Sequence, residues 1–110
     1  MDTEAGLVEA AQLFRVLGSE SRLRILLLLS AGSRTVGALA DATEMSQPLV
    51  SQHLRTLRQG GLVTAVRNGK EMTYRLADQH VSHVISDALI HVQEPAGPDQ
   101  GIASPERENP

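Results

Sequence analysis

The chain has no cysteine and no tryptophan, and only one phenylalanine (Phe14) and one tyrosine (Tyr74) among 110 residues. Without cysteine there is neither a disulfide framework nor a thiolate metal site, so any metal must be held by nitrogen and oxygen. The same absence fits a cytoplasmic address. Two aromatics are too few for base-stacking platforms, which counts against single-stranded nucleic acid. The longest apolar run, ILLLLS at 25–30, is far below the roughly 20 residues that span a bilayer, and no charged segment with a cleavage site precedes it. A soluble chain with no membrane partner is expected.

What is present is 41% hydrophobic residues, enough for one core in a chain too short for two, so residues 1–94 are expected to form one domain. Residues 95–110 hold four of the five prolines and no apolar period, and are expected to be a disordered tail. The net charge of -3 is unevenly spread. Residues 1–45 carry four Arg against six acids, net -2; residues 46–75 carry four Arg and Lys70 against Glu71, net +4; residues 76–110 carry Arg107 against six acids, net -5. Phosphate contacts are local, so a basic middle third can bind nucleic acid although the whole chain is acidic.

Along the chain, Leu7, Val8, Ala11, Phe14 and Leu17 recur at the spacing of one buried helical stripe, predicting a helix from about Glu4 to Leu17 that Gly18 ends. Ser19 can cap a second helix, with Arg22 and Arg24 outward and Leu23 to Leu29 apolar on every side, the mark of a central element. After a break at 31–34, Thr35 caps a short helix whose Val36, Leu39 and Ala40 face inward. The residues EMSQ form a corner. Ser46 then caps a helix running to about Gln59, with Pro48 in its first turn and Val50, Leu54 and Leu57 on one face. Gly60 and Gly61 stop it. Two β-type runs, LVTAVR (62–67) and EMTYRL (71–76), are joined by Asn68-Gly69, a dipeptide suited to the positive φ angles of a tight hairpin. A last helix covers 78–93, with Asp78 just ahead of it or at its cap.

A short helix, a corner, a helix with a polar start and a hairpin with a basic tip describe a winged helix-turn-helix, mainly α with a β-hairpin wing. Gln47, Ser51 and Gln52 stand where amides and hydroxyls can reach base edges, and glutamine can pair bidentately with adenine. Arg55, Arg58, Arg67 and Lys70, with Asn68 at the hairpin tip, suit phosphates, which position without specifying. Double-stranded DNA is the expected partner. His53, beside Leu54, reads as a packing or surface residue.

The last helix holds the other three histidines. His80 and His91 are eleven residues apart, which at about 100° and 1.5 Å per residue leaves them about 20° apart around the axis but roughly 16 Å apart along it. Zinc lies only about 2 Å from each imidazole nitrogen, so one helix cannot bring both to one ion. Two copies can, if their last helices pair antiparallel about a twofold axis. Asp78 can swing toward His80, and Glu94 lies three residues after His91 on the same face. The expectation is two equivalent sites per dimer, each with two nitrogen and two oxygen ligands. Val81, Val84, Ile85, Ala88, Leu89 and Val92 form the neighbouring stripe that such a pairing would bury. His83 falls about 60° from His80 and reads as a surface residue, with a role as a spare ligand left open.

These residues resemble a family, the metal-sensing transcriptional repressors of the ArsR/SmtB type. The resemblance covers residues 7 to 94 and rests on SESRLRILLLL, SQPLVSQHLRTLRQGGLV, VRNGKEMTYRL, and D-x-H followed after ten residues by H-x-x-E, as Asp78, His80, His91 and Glu94. It implies a homodimer formed through the N- and C-terminal helices that binds operator DNA without metal and releases it on metal binding. The thiolate site of some relatives has no counterpart in RTVGALAD, which disfavours arsenite and lead. Closed four-coordinate nitrogen and oxygen ligation points to Zn(II) as effector, with Co(II) or Ni(II) possible and a non-metal effector as the alternative. Four ligands leave no open coordination position and there is no HExxH or nucleophile-elbow pattern, so no enzyme is expected.

Overall fold

In a computed structural model of the chain, residues 2–95 are described. The expected tail, 95–110, lies outside them apart from Pro95. Five helices and three short strands follow in the order α1 (Leu7–Leu17), α2 (Glu20–Ser30), β1 (Arg34–Thr35), α3 (Val36–Thr43), α4 (Gln47–Gln59), β2 (Val63–Asn68), β3 (Glu71–Leu76) and α5 (Gln79–Gln93). This is the winged helix-turn-helix that the sequence predicts.

Four helices start on the caps read from sequence. Ser19 Oγ accepts the Arg22 N–H at 3.3 Å, Thr35 Oγ1 that of Ala38 at 3.1 Å, and Ser46 Oγ that of Leu49 at 3.2 Å. Asp78 Oδ1 accepts two, from His80 at 2.9 Å and Val81 at 3.3 Å. Each cap satisfies a donor the helix cannot, worth about 1 kcal/mol. Between α3 and α4 the chain turns at Glu44, whose φ of 60° is the left-handed conformation that closes the helix and makes the corner.

The core lies where α2 meets everything else. Ile25, Leu26 and Leu29 of α2, Leu39 and Ala40 of α3, Val50, Leu54 and Leu57 of α4, and Leu62 and Val63 after it are buried together, with Leu17, Val81 and Ile85 closing the ends. Leu62 is held by both backbone groups, its N–H on the Leu57 carbonyl at 2.9 Å and its carbonyl on the Ala77 N–H at 2.9 Å.

Several expectations are corrected. Helix α1 starts at Leu7, not near Glu4, because Asp2 Oδ1 accepts the Glu4 N–H in a preceding turn and Gly6 opens the helix. Of its expected stripe only Leu17 is buried; Leu7, Val8 and Phe14 are more than half exposed, and Leu13 and Val16 on the adjoining face pack on the core instead. Arg22 does not point outward, since its Nε donates to the Val16 carbonyl at 2.7 Å, pinning the end of α1 to the start of α2. A third strand, β1, pairs antiparallel with β3 through Arg34↔Tyr74 and Thr35↔Thr73, in a stretch read as a plain break. Asn68 belongs to the ladder, paired with Glu71, so the two-residue turn is Gly69-Lys70 with only Gly69 at positive φ, 71°. Glycine at the first central position is the II′ arrangement, which needs one positive φ rather than two.

Candidate nucleic-acid interface and effector helix

Helix α4 divides cleanly. Val50, Leu54 and Leu57 are at most 1% exposed, while Gln47, Ser51, Gln52, Arg55, Arg58 and Gln59 all face solvent. Ser51, Arg55, Arg58 and Gln59 share a hollow of about 390 Å³ with Tyr74 of β3, so α4 and the wing border one continuous polar surface. Arg67, Asn68 and Lys70 are exposed at the hairpin end of that surface. Gln47 stands somewhat apart, its side-chain amide lying close over Gly37 at the start of α3.

Arg75, not singled out from the sequence, faces the other side of β3 from Tyr74, toward a hollow it shares with Ser30, Asp78 and His83. It is exposed on β3, with Nε donating to Thr64 Oγ1 across the ladder at 3.4 Å. It contributes to the +4 of residues 46–75 all the same. His53 is half-buried on the inner edge of α4, and burial followed by the neighbouring Arg22 guanidinium lowers its pKa below the ordinary imidazole value. Half-buried, it stands between the packing and surface readings.

On α5 the geometry is different. Asp78 caps the helix, and its Oδ1 lies 3.6 Å from His80 Nδ1, so two of the four proposed ligands are neighbours at one end. His80, His91 and Glu94 are exposed, as is His83. Glu94 is the C-cap residue, its N–H on the His91 carbonyl. Among the described residues no three His, Asp or Glu side chains gather closely enough to hold an ion within one chain. The donor set nevertheless suits zinc: two imidazoles and two carboxylates, all open to solvent, with both backbone hydrogen bonds to Asp78 falling on one oxygen.

The apolar stripe of α5 is not one surface. Val81 and Ile85 are buried against the chain's own core and Leu89 packs on it, whereas Val84, Ala88 and Val92 are exposed. The core takes the arc about 100° to 180° round from His80; Val84 and Ala88 fall between that arc and the histidine face. Beside Asp78 and His80, an apolar hollow of about 240 Å³ opens between Leu13 and Leu17 of α1, Leu62, and Val81 and Val84. Among the described residues no helix is long and apolar enough to cross a membrane.

Comparison with known proteins agrees with this architecture. Residues 19–65 match the family described as bacterial regulatory protein, arsR family. The chain is 46% identical over 87 residues to the HTH-type transcriptional repressor SmtB of Mycobacterium tuberculosis, covering 79% of this chain and 64% of that protein, just under two thirds of its length. It is 38% identical over 91 residues to the HTH-type transcriptional regulator NmtR of the same species, covering 83% of this chain and 75% of that one. A homodimeric winged helix-turn-helix DNA-binding domain from Mycobacterium bovis, solved in solution and described as a possible ArsR-family regulator, superimposes with a TM-score of 0.77 at 35% identity, covering 88% of this chain and 91% of that one.

Proposed function

The chain belongs to the ArsR family of bacterial regulatory proteins, and from that premise we propose that it is a metal-responsive repressor that binds operator double-stranded DNA as a homodimer and releases it when Zn(II) ties its C-terminal helices together. The observation that carries the reading is on α5, where His80 and His91 are both exposed on one face yet stand roughly 16 Å apart along the axis. Relatives support it: SmtB of M. tuberculosis is a repressor, and the M. bovis domain is a homodimer that binds DNA.

Each residue has a stated part. Ser51 and Gln52, with Gln47 at the edge, offer donors and acceptors to base edges from the start of α4. Arg55, Arg58, Arg67 and Lys70 neutralise phosphates, and Asn68 shapes the hairpin end that presents the last two. Asp78 and His80 supply one half of each metal site, and His91 and Glu94 of the second copy the other half. Zn(II) held by these four residues would supply a redox-inert cross-link between the copies. Holding both ends of an antiparallel helix pair fixes the angle between the copies, and with it the separation of the two α4 helices. Those helices must match half-sites about 34 Å apart, so a change in separation lowers operator affinity.

Linkage makes the test reciprocal. A coupling of about 1–3 kcal/mol, some 5- to 150-fold, must weaken zinc binding in the presence of operator by the factor by which zinc weakens operator binding. Zinc affinity measured with and without an operator duplex decides it, and equal affinities rule the mechanism out. His91→Ala is expected to keep operator binding and to lose zinc-driven release; release that persists puts the ligands elsewhere.

A further inference from the structure

Tyr74 is the only tyrosine in the chain, and from β3 its half-buried side chain packs against the core. A phenylalanine would pack as well. What tyrosine adds is a hydroxyl, and the residue borders the hollow of about 390 Å³ that Ser51, Leu54, Arg55, Arg58 and Gln59 line from the side of α4. By helix geometry the four polar residues of that set fall within an arc of about 100° and along about 12 Å of the axis, one row beside β3. No carboxylate lines the hollow. Among the described residues the side-chain hydrogen bonds donated from α4, β2 and β3 come from Thr56, Thr73 and Arg75, and neither ion pair includes Arg55 or Arg58. Two guanidinium groups, two hydroxyls and an amide therefore border one space with their donors uncommitted within the chain.

A space rich in donors and free of acids suits an anion, and guanidinium groups suit phosphate above all. Its place between the base-reading helix and the wing makes that phosphate one of the DNA backbone. We propose that the Tyr74 hydroxyl donates a hydrogen bond to one backbone phosphate in each half-site, the phosphate that Arg55 and Arg58 neutralise from across the hollow. The inference rests on the repressor reading of α4 and adds to it a neutral donor from β3 that the charge pattern does not mark. An arginine reaches on a long side chain, whereas the Tyr74 ring is held by packing. Tyr74 thus fixes where the phosphate sits, and phosphate contacts set the register of the protein on the duplex.

The test uses the full chain and a duplex that it enriches from a randomised pool. Tyr74→Phe keeps the ring and removes the hydroxyl, so it should melt with the wild-type chain while its affinity for the duplex falls about ten-fold per half-site. The slope of log affinity against log salt should stay as in wild type, because the hydroxyl carries no charge, whereas Arg55→Ala and Arg58→Ala should each lower it by about 1 per half-site. Single methylphosphonate substitutions along the backbone locate the contact. At one phosphate per half-site the loss from Tyr74→Phe and the loss from the neutral phosphate should combine to much less than their product. Wild-type affinity in Tyr74→Phe, or losses that multiply fully at every phosphate, overturns the proposal. Failure to enrich any duplex overturns the repressor reading, and this inference with it.

Discussion

Helices α4 and α5 are of similar length and both carry apolar and polar faces, but they spend their apolar residues differently. In α4 the core takes Val50, Leu54 and Leu57 completely, leaving a solvent side that is polar except for Pro48 and Leu49 in the first turn. In α5 the core takes Val81 and Ile85 and leaves Val84, Ile90 and Val92 from 36% to 72% exposed. The first helix is complete within one chain. The second has an apolar remainder next to its histidines, and α1 contributes Leu7, Val8 and Phe14 to the same account. An apolar surplus of this kind leaves a surface to be covered, and in the proposed dimer a second copy would cover it while completing the zinc site.

The comparison breaks most visibly under truncation. Leu54→Ala, at a side chain 1% exposed, is expected to cost about 2–5 kcal/mol in chemical denaturation, the range for a cavity in a packed core. Val92→Ala, at 72% exposure, is expected to leave the unfolding free energy of a dilute sample within about 0.5 kcal/mol while weakening self-association in sedimentation. A Val92→Ala effect on folding as large as that of Leu54→Ala would mean that α5 is as complete as α4.

Asp78 sharpens the contrast on a smaller scale, because in the proposed zinc site the α5 cap doubles as a ligand whereas the α4 cap, Ser46, has no second role. Asp78→Ala is expected to lose about 1 kcal/mol of stability together with the zinc response. Asp78→Asn keeps a side-chain oxygen for the His80 and Val81 amides, so thermal melting should move little while zinc affinity falls. Matching losses of both properties in the asparagine variant would show that cap and ligand are not separable.

The smallest effect belongs to His53, the titrating residue on the buried side of α4. Its folded-state pKa is lowered, by burial first and by Arg22 second, so the unfolded chain takes up its proton more readily. Stability from this group is therefore full above the ordinary histidine range near 6.5 and declines as pH falls through it, levelling off below the depressed folded value. His53→Gln should flatten the part of a stability profile that lies below the ordinary histidine range near 6.5. An unchanged slope would assign it to other groups.

Local chemistry was legible in the sequence, and the choice among faces was not. The caps Ser19, Thr35, Ser46 and Asp78 depend on one side chain and an amide two or three residues on, and each stands where the pattern placed it. The stripes of α1 and α5 were misplaced because both helices are apolar over an arc wider than the core covers, and only packing decides which third is buried. The strand β1 is two residues long and exists because Tyr74 and Thr73 lie opposite, which no local signal announces. The turn differed by one residue because glycine alone supplies the positive φ there. At the candidate site, the closeness of Asp78 and His80 follows from spacing and was readable; the burial of Val81 and Ile85 against the chain's own core follows from packing, and was not.

Leu62 carries a mechanical consequence. It is 2% exposed, and its two peptide groups fasten it to the last turn of α4 on one side and to the residue preceding the α5 cap on the other. The exit of α4 and the entry of α5 are thus tied to one buried residue by two short backbone bonds, so Leu62 is where a change in the setting of either helix would first be felt by the other.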